Sequence, residues 1–182
     1  MPVEKMRSIV LCSLMAGLMA TGAFIHVPIG PVPIVLTNLF VLLAGLLLGA
    51  RWGAASAALY LLVGAIGLPV FYGGKGGLAH LSGPTGGYLF GFILSAWITG
   101  FISGHFRQSL AGRVIAVLAG SLIIYAPGVF WLKVITHMTW NKAWMLGMVP
   151  FLPGDALKAA AAVIIWRSVG PILDRKTSSV SG

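Results

Sequence analysis

Acidic side chains are scarce in this sequence. Only three of its 182 residues are Asp or Glu, twelve are Lys or Arg, and charged residues together make up 8% of the chain. Apolar residues make up 58%. Soluble domains carry about a quarter charged residues, because their surface must interact with water. The composition therefore excludes an ordinary soluble domain and favours an integral membrane protein.

Cysteine is rarer still, since Cys12 is the only one and lies inside an apolar run. A single cysteine can form neither an internal disulfide nor a cysteine-based metal site. The four histidines fall in four different predicted connecting regions without the spacing of metal ligands; they are His26, His80, His105 and His137. We therefore predict no metal and no cofactor, and keep only His80 as a candidate site residue because of the loop around it.

Long stretches without any charge predict membrane-spanning helices. No Asp, Glu, Lys or Arg occurs between Arg7 and Arg51, and a helix needs roughly 20 apolar residues to cross a membrane. The uncharged runs predict six spans, at residues 9–27, 33–50, 52–68, 86–105, 113–132 and 153–173. They are apolar on every face, whereas the strands of a membrane barrel alternate in polarity. We predict an all-α bundle of six transmembrane helices that forms one domain over residues 1–182.

Basic residues are distributed unevenly between the two ends of these predicted helices. One side carries Lys5, Arg7, Arg51, Arg107, Arg113, Arg167, Arg175 and Lys176. The other side carries Lys75, Lys142 and, near the boundary, Lys133. Because cytoplasmic loops are enriched in Lys and Arg, both termini are predicted to be cytoplasmic. The basic residues do not gather into the single patch that nucleic-acid binding requires, so no nucleic-acid partner is predicted.

Asp155 is the only acidic residue away from the chain ends. It follows Pro153 and Gly154 at the start of the last predicted helix, and Lys158 comes three residues later. Positions three apart share one face of a helix, so the two charges project together near the membrane boundary. Two interpretations are open. Asp155 caps the helix while Lys158 pairs with it or reaches to the interface, or the pair binds a ligand, with Asp155 accepting from N–H groups and Lys158 meeting a carbonyl or carboxylate.

The connection formed by residues 69–85 is long for a compact bundle. Its glycines allow the backbone to approach a bound molecule closely. Four side chains in or beside it are candidates to cover a ligand, namely Phe71, Tyr72, His80 and Tyr88. An interfacial loop with aromatic residues at headgroup level is the alternative. No Gly-Lys-Ser or Gly-Lys-Thr follows the glycines, so we predict no nucleotide site.

Ala16 and Ala20 form a pair of small residues four positions apart in the first predicted span. Gly17 and Thr21 continue the same flat surface. Small residues at this spacing let another helix approach closely. The surface either packs within the bundle or docks on another protein, and the sequence alone leaves both open.

Five segments in order carry a resemblance to a known family. They are PIGPVP at 28–33, LFVLLAGLLLG at 39–49, GAIGLPVF at 64–71, GPTGGY at 83–88 and FLPGDALK at 151–158. Together they resemble BioY, the substrate-capture subunit, or S component, of energy-coupling-factor (ECF) biotin transporters. The resemblance implies a six-helix bundle in the prokaryotic plasma membrane that captures biotin from outside with high affinity and catalyses no reaction.

The resemblance also implies partners and a binding site. The partners would be a transmembrane coupling protein, docked on Ala16 and Ala20, together with two ATPase subunits, in contact with membrane lipid. The predicted substrate-binding residues are Asn38, Phe71, Gly73, Gly74, Thr85, Tyr88, Asp155 and Lys158. The chain departs from the family where Gln is common in place of Thr37, where Thr is common in place of Asn38, and where Lys75 adds a charge to a glycine stretch.

Two alternatives to biotin capture are compatible with the sequence. One is a channel or facilitator for another small polar solute, since six spans and glycine-rich loops also suit a pore. The other is an S component for a different vitamin. An intramembrane enzyme is disfavoured, because the spans lack paired carboxylates, a metal cluster or a nucleophile beside a base.

Overall fold

The computed structural model describes residues 3–28, 30–106 and 109–178, with side chains described as far as residue 171. Five helical stretches in these ranges are long and apolar enough to cross a membrane. They are Val3–Phe24, Thr37–Ala65, Gly86–His105, Leu110–Thr136 and Trp140–Pro171. The prediction of a mostly helical fold with several long apolar helices is therefore confirmed.

The described elements follow one another in a simple order. The helices are α1 (Val3–Phe24), α2 (Thr37–Ala65), α3 (Leu78–Leu81), α4 (Gly86–His105), α5 (Leu110–Ile123), α6 (Tyr125–Thr136), α7 (Trp140–Gly147) and α8 (Leu152–Ser178), with 3-10 turns at Tyr72–Gly74 and Val149–Phe151. Between α1 and α2 the chain forms an antiparallel hairpin of β1 (His26–Val27) and β2 (Ile34–Val35). This hairpin and an isolated antiparallel bridge between Phe71 and Lys75 are the departures from an all-α architecture in the described residues.

Helix α2 consists of two arms joined at Gly49. This glycine has φ 77° and ψ −178°, a conformation outside the helical region that glycine adopts readily. A Cβ atom added to Gly53 would lie 2.9 Å from the carbonyl oxygen of Ala44. In a continuous helix these residues would be more than about 10 Å apart, at a rise of about 1.5 Å per residue. The chain therefore doubles back at Gly49, and the arms, residues 37–48 and 50–65, correspond to two of the predicted spans.

Replacing Gly49 by Ala is expected to destabilise the protein through backbone strain alone. A Cβ atom there meets nothing within 4 Å, but this combination of φ and ψ costs a non-glycine residue about 1–3 kcal/mol. Thermal unfolding in detergent should show a lower midpoint for Gly49→Ala. Gly104→Ala is the matched control, because that glycine lies in α4 with equal space around it. An unchanged midpoint for Gly49→Ala would contradict the strained turn.

Helix α4 occupies the middle of the bundle, where it packs against α2, α5 and α6, while α1 and α8 pack on α2. Glycines make these approaches close. A Cβ atom on Gly45 would lie 2.6 Å from the Ala96 carbonyl oxygen, and one on Gly100 would lie 2.3 Å from the Ala50 nitrogen. Tight helix packing through small residues is typical of membrane bundles, because van der Waals contact replaces the hydrophobic effect there.

Candidate ligand-binding site

A cavity opens within the bundle, and its empty volume is about 570 Å³ with the opening included. The lining residues come from α1, the hairpin, both arms of α2, the loop before α4, and α4, α6 and α8. They are Ala23, Val32, Pro33, Val35, Thr37, Asn38, Tyr60, Phe71, Tyr72, His80, Thr85, Tyr88, Leu89, Phe92, Ile124, Tyr125, Phe151 and Lys158. The walls are mainly apolar and aromatic with a few polar groups, which is the usual character of a binding pocket.

Asp155 organises the polar part of this cavity. Its Oδ1 atom accepts from Lys158 Nζ at 3.0 Å and from Asn38 Nδ2 at 3.4 Å, while its Oδ2 atom accepts from the Tyr125 hydroxyl. Asp155 and Lys158 are 5% and 9% exposed, so the ion pair is shielded from solvent. The carboxylate therefore holds side chains from α2, α6 and α8 together. The two charges project together, as the three-residue spacing predicts, and they form an ion pair.

Lys158, Asn38 and Tyr125 line the cavity, whereas Asp155 is not among the lining residues and lies behind them. An ammonium group has three N–H donors, of which Asp155 accepts one, so Lys158 has two left. The Oδ1 atom of Asn38 is buried and has no hydrogen-bond partner among the described residues. Leaving such an acceptor unpaired costs about 1–3 kcal/mol. Lys158 thus has spare donors and Asn38 has a spare acceptor, on two side chains that line the cavity and both donate to Asp155 Oδ1.

The loop before α4 is anchored to the bundle. Phe71 is fully buried and packs so closely on Gly64 that an added Cβ there would lie 2.1 Å from the Phe71 ring. The Gly77 nitrogen donates to the Gly64 carbonyl at 2.7 Å. Trp131 Nε1 donates to the Gly83 carbonyl at 2.9 Å. The loop therefore forms a fixed wall of the cavity.

The structure brings most of the predicted site residues together. Five of them line the cavity, namely Asn38, Phe71, Thr85, Tyr88 and Lys158. Asp155 accepts a hydrogen bond from Asn38 and forms an ion pair with Lys158. Gly73 and Gly74 do not line it. With φ values of 68° and 70° they form the turn that carries Tyr72 to the cavity wall. A direct contact between these glycines and a ligand stays a prediction.

Sequence reasoning missed Tyr125, the third side chain that Asp155 holds. All four tyrosines of the chain line the cavity, namely Tyr60, Tyr72, Tyr88 and Tyr125. A tyrosine hydroxyl inside an apolar span needs a hydrogen-bond partner. The presence of Tyr125 within the predicted span 113–132 was therefore a signal that this residue contacts another polar group. Tyr88, for example, donates to the Gly147 carbonyl at 2.8 Å.

The pair of small residues on α1 divides between the interior and the surface. Ala16 is 7% exposed and belongs to the hydrophobic core, and Ala20 packs partly buried against that core. Gly17 and Thr21, beside them, are exposed. Internal packing therefore accounts for Ala16, and docking of another protein on Ala16 and Ala20 stays a prediction.

His80 lies at the cavity wall in the loop. Its Nε2 atom is 3.4 Å from the Thr85 hydroxyl oxygen, and its ring stacks on Phe71 with centroids 5.2 Å apart. Burial and, secondarily, the positive charge of Lys75 lower the pKa of His80 below its ordinary value of 6.5. The imidazole is therefore neutral at pH 7.

This lowered pKa predicts a loss of stability in acid. The unfolded chain takes up a proton at His80 below pH of about 6.5, while the folded chain resists it, so the stability present above that pH is lost as the pH falls. The unfolding midpoint in detergent should drop between pH 7 and pH 5. His80→Gln should reduce that drop, while His105→Gln, an exposed control at the end of α4, should not. Equal slopes for both variants would contradict the assignment to His80.

Residues 1–175 match the sequence model of the BioY family. The chain belongs to the BioY family. It is 44% identical over 161 residues to the probable biotin transporter BioY of Pyrococcus horikoshii, covering 88% of this chain and 94% of the relative. It is 43% identical over 160 residues to the biotin transporter BioY of Thermotoga maritima, with the same two coverages.

A solved structure of a biotin-binding protein has a similar fold. The S component for biotin from an ECF-type ABC transporter superimposes with a TM-score of 0.86 at 30% sequence identity, covering 93% of each chain. The family resemblance drawn from the five sequence segments is therefore confirmed.

Proposed function

We propose that this BioY protein is the biotin-binding S component of an ECF-type transporter, capturing biotin with high affinity and leaving it chemically unchanged. One observation carries the proposal. Asn38, which has an unpaired acceptor, and Lys158, which has spare donors, both line the cavity and both donate to Asp155 Oδ1, in a chain whose relatives are named biotin transporters. Those relatives are transporters rather than enzymes, which agrees with the absence of a catalytic step.

Biotin has the chemistry that this wall requires. Its ureido ring offers two N–H donors and one carbonyl acceptor, while its thiophane ring and tail are apolar up to a terminal carboxylate. Asn38 Oδ1 accepts a ring N–H and Lys158 donates to the ring carbonyl. Asp155 orients both side chains, and a direct hydrogen bond from a ligand N–H to its carboxylate stays a prediction. Thr85, Tyr88 and Phe71 complete the pocket.

The proposed topology has six membrane crossings, with the two arms of α2 counted separately and both termini in the cytoplasm. The excess of basic residues on the terminal side supports this orientation. The loop that carries His80 and the start of α8 then lie on the outer side, so the cavity receives its ligand from outside. In this proposal the chain folds as a single domain and resides in the prokaryotic plasma membrane.

Energy would come from partners, since the sequence has no nucleotide-binding loop. We propose a transmembrane coupling protein with two ATPase subunits, docked on α1 beside Ala16 and Ala20, with lipid around the rest of the bundle. Support comes from the structural similarity to an S component of an ECF-type ABC transporter and from the exposed Gly17 and Thr21 next to that pair.

The proposal is tested by binding of labelled biotin to the detergent-purified protein, with unlabelled vitamins as competitors. We expect tight one-to-one binding that only biotin and its close analogues displace. Displacement by a different vitamin would reassign the ligand. Weak saturable flux in liposomes without stoichiometric binding would replace capture with a pore.

A further inference from the structure

Lys75 places a positive charge beside the cavity. Its Nζ atom lies 4.8 Å from the centroid of the Tyr72 ring and 3.4 Å from the Tyr72 hydroxyl oxygen. Tyr72 lines the cavity, whereas Lys75 itself is exposed. The ammonium group therefore stands at the boundary between the cavity and the surrounding solvent.

The backbone around Lys75 is fixed while its side chain remains accessible. The Phe71 nitrogen donates to the Lys75 carbonyl at 2.9 Å. At the next residue, a Cβ atom on Gly76 would lie 2.2 Å from the Leu68 carbonyl oxygen. The position of Lys75 relative to the cavity is therefore set by the same packing that holds Phe71 in the wall.

Lys75 has a tyrosine but no carboxylate beside it in the part of the chain that the structure describes. The chain has three acidic residues. Asp155 is engaged by Lys158, and Glu4 and Asp174 lie near the two chain ends. The charge of Lys75 is therefore available to an anion that arrives from outside the chain.

The field of this charge reaches the cavity wall. The imidazole of His80, which lines the cavity, has a pKa that the Lys75 charge pushes down further than burial alone does. A positive charge that disfavours a cation at the wall favours an anion in the same place. His80 itself stays neutral and adds no competing charge.

We propose that Lys75 binds the carboxylate of the ligand's tail at the cavity mouth and thereby makes the protein prefer an anionic ligand to its neutral amide. This inference rests on the proposed function, because the ureido ring held by Asn38 and Lys158 leaves the tail to extend toward the loop. The Tyr72 hydroxyl, beside the ammonium group, is placed to donate to the same carboxylate. Lys75 is thus a specificity residue for the charge of the ligand.

The test compares biotin with its neutral carboxamide, biotinamide, on purified wild-type protein and on Lys75→Gln. Wild type should prefer biotin. The variant should bind biotin about 3–10-fold more weakly, as expected for an exposed charged contact, and should bind biotinamide as before. Lys75→Arg should keep the preference. Lys142→Gln is the control, since it removes an exposed lysine on α7 that does not line the cavity.

Three other outcomes of this comparison would contradict the proposal, and each identifies a different error. Equal weakening of both ligands by Lys75→Gln would assign a structural role through Tyr72 and overturn the proposal. Equal affinities of wild type for biotin and biotinamide would overturn it as well, while leaving biotin capture intact. A wild type that binds neither ligand would overturn the proposed function itself.

Discussion

Asp155→Asn is expected to reduce biotin binding by more than about 100-fold and to lower the unfolding midpoint. Lys158 would remain charged and buried without its carboxylate, and breaking such a pair costs about 3–5 kcal/mol. The new amide keeps only one acceptor oxygen, so Asn38 and Tyr125, which donate to different oxygens of the carboxylate, cannot both keep their hydrogen bonds. Adding Lys158→Gln removes the unpaired charge, so the double variant should regain thermal stability without regaining binding. Thermal unfolding and biotin titration in detergent measure the two effects separately.

Lys133→Gln is the control for this pair of variants. Lys133, on α6, lies over the ring of Trp140, on α7, and does not line the cavity. Its replacement should therefore change neither biotin binding nor the unfolding midpoint appreciably. Wild-type affinity in Asp155→Asn would remove Asp155 from the site. A double variant no more stable than the single one would show that the unpaired lysine is not the source of the instability.

Asn38→Leu is expected to weaken biotin binding by about 10–100-fold, because a buried hydrogen bond from the ring N–H is lost and that N–H is left unpaired in the complex. The fold should tolerate the change, since the Oδ1 atom has no partner among the described residues and the Nδ2 contact with Asp155 is long at 3.4 Å. Titration of the purified variant with labelled biotin measures the loss.

Asn38→Thr provides the comparison, because threonine is smaller but keeps an oxygen that can accept a hydrogen bond. It should retain more binding than Asn38→Leu at similar thermal stability. Equal affinities for the two variants, close to that of wild type, would show that the ligand does not use an acceptor at this position.

The sequence predicted those features that follow from local spacing. Uncharged runs located the long apolar helices, since the cost of charge in hydrocarbon is independent of how the helices pack. The Asp155–Lys158 pair followed from the geometry of one helical turn. The break near residue 50 was placed correctly because Arg51 ends the uncharged run.

Features that depend on packing between distant segments could not be read in this way. Tyr125 meets Asp155 across thirty positions, and an apolar span gives no signal of which partner its hydroxyl finds. The sequence also did not show which face of α1 packs inward. This helix is apolar nearly all round, and both Ala16 and Gly17 are small enough for a flat packing surface. Burial of Ala16 and exposure of Gly17 are set by contact with α2 and the core.

A crystal structure of the protein with biotin bound tests the central claim most directly. We predict the ureido ring within hydrogen-bond distance of Asn38 Oδ1 and Lys158 Nζ, with the apolar tail against the aromatic wall. Biotin bound elsewhere on the bundle, or with its ring away from both side chains, would contradict the account.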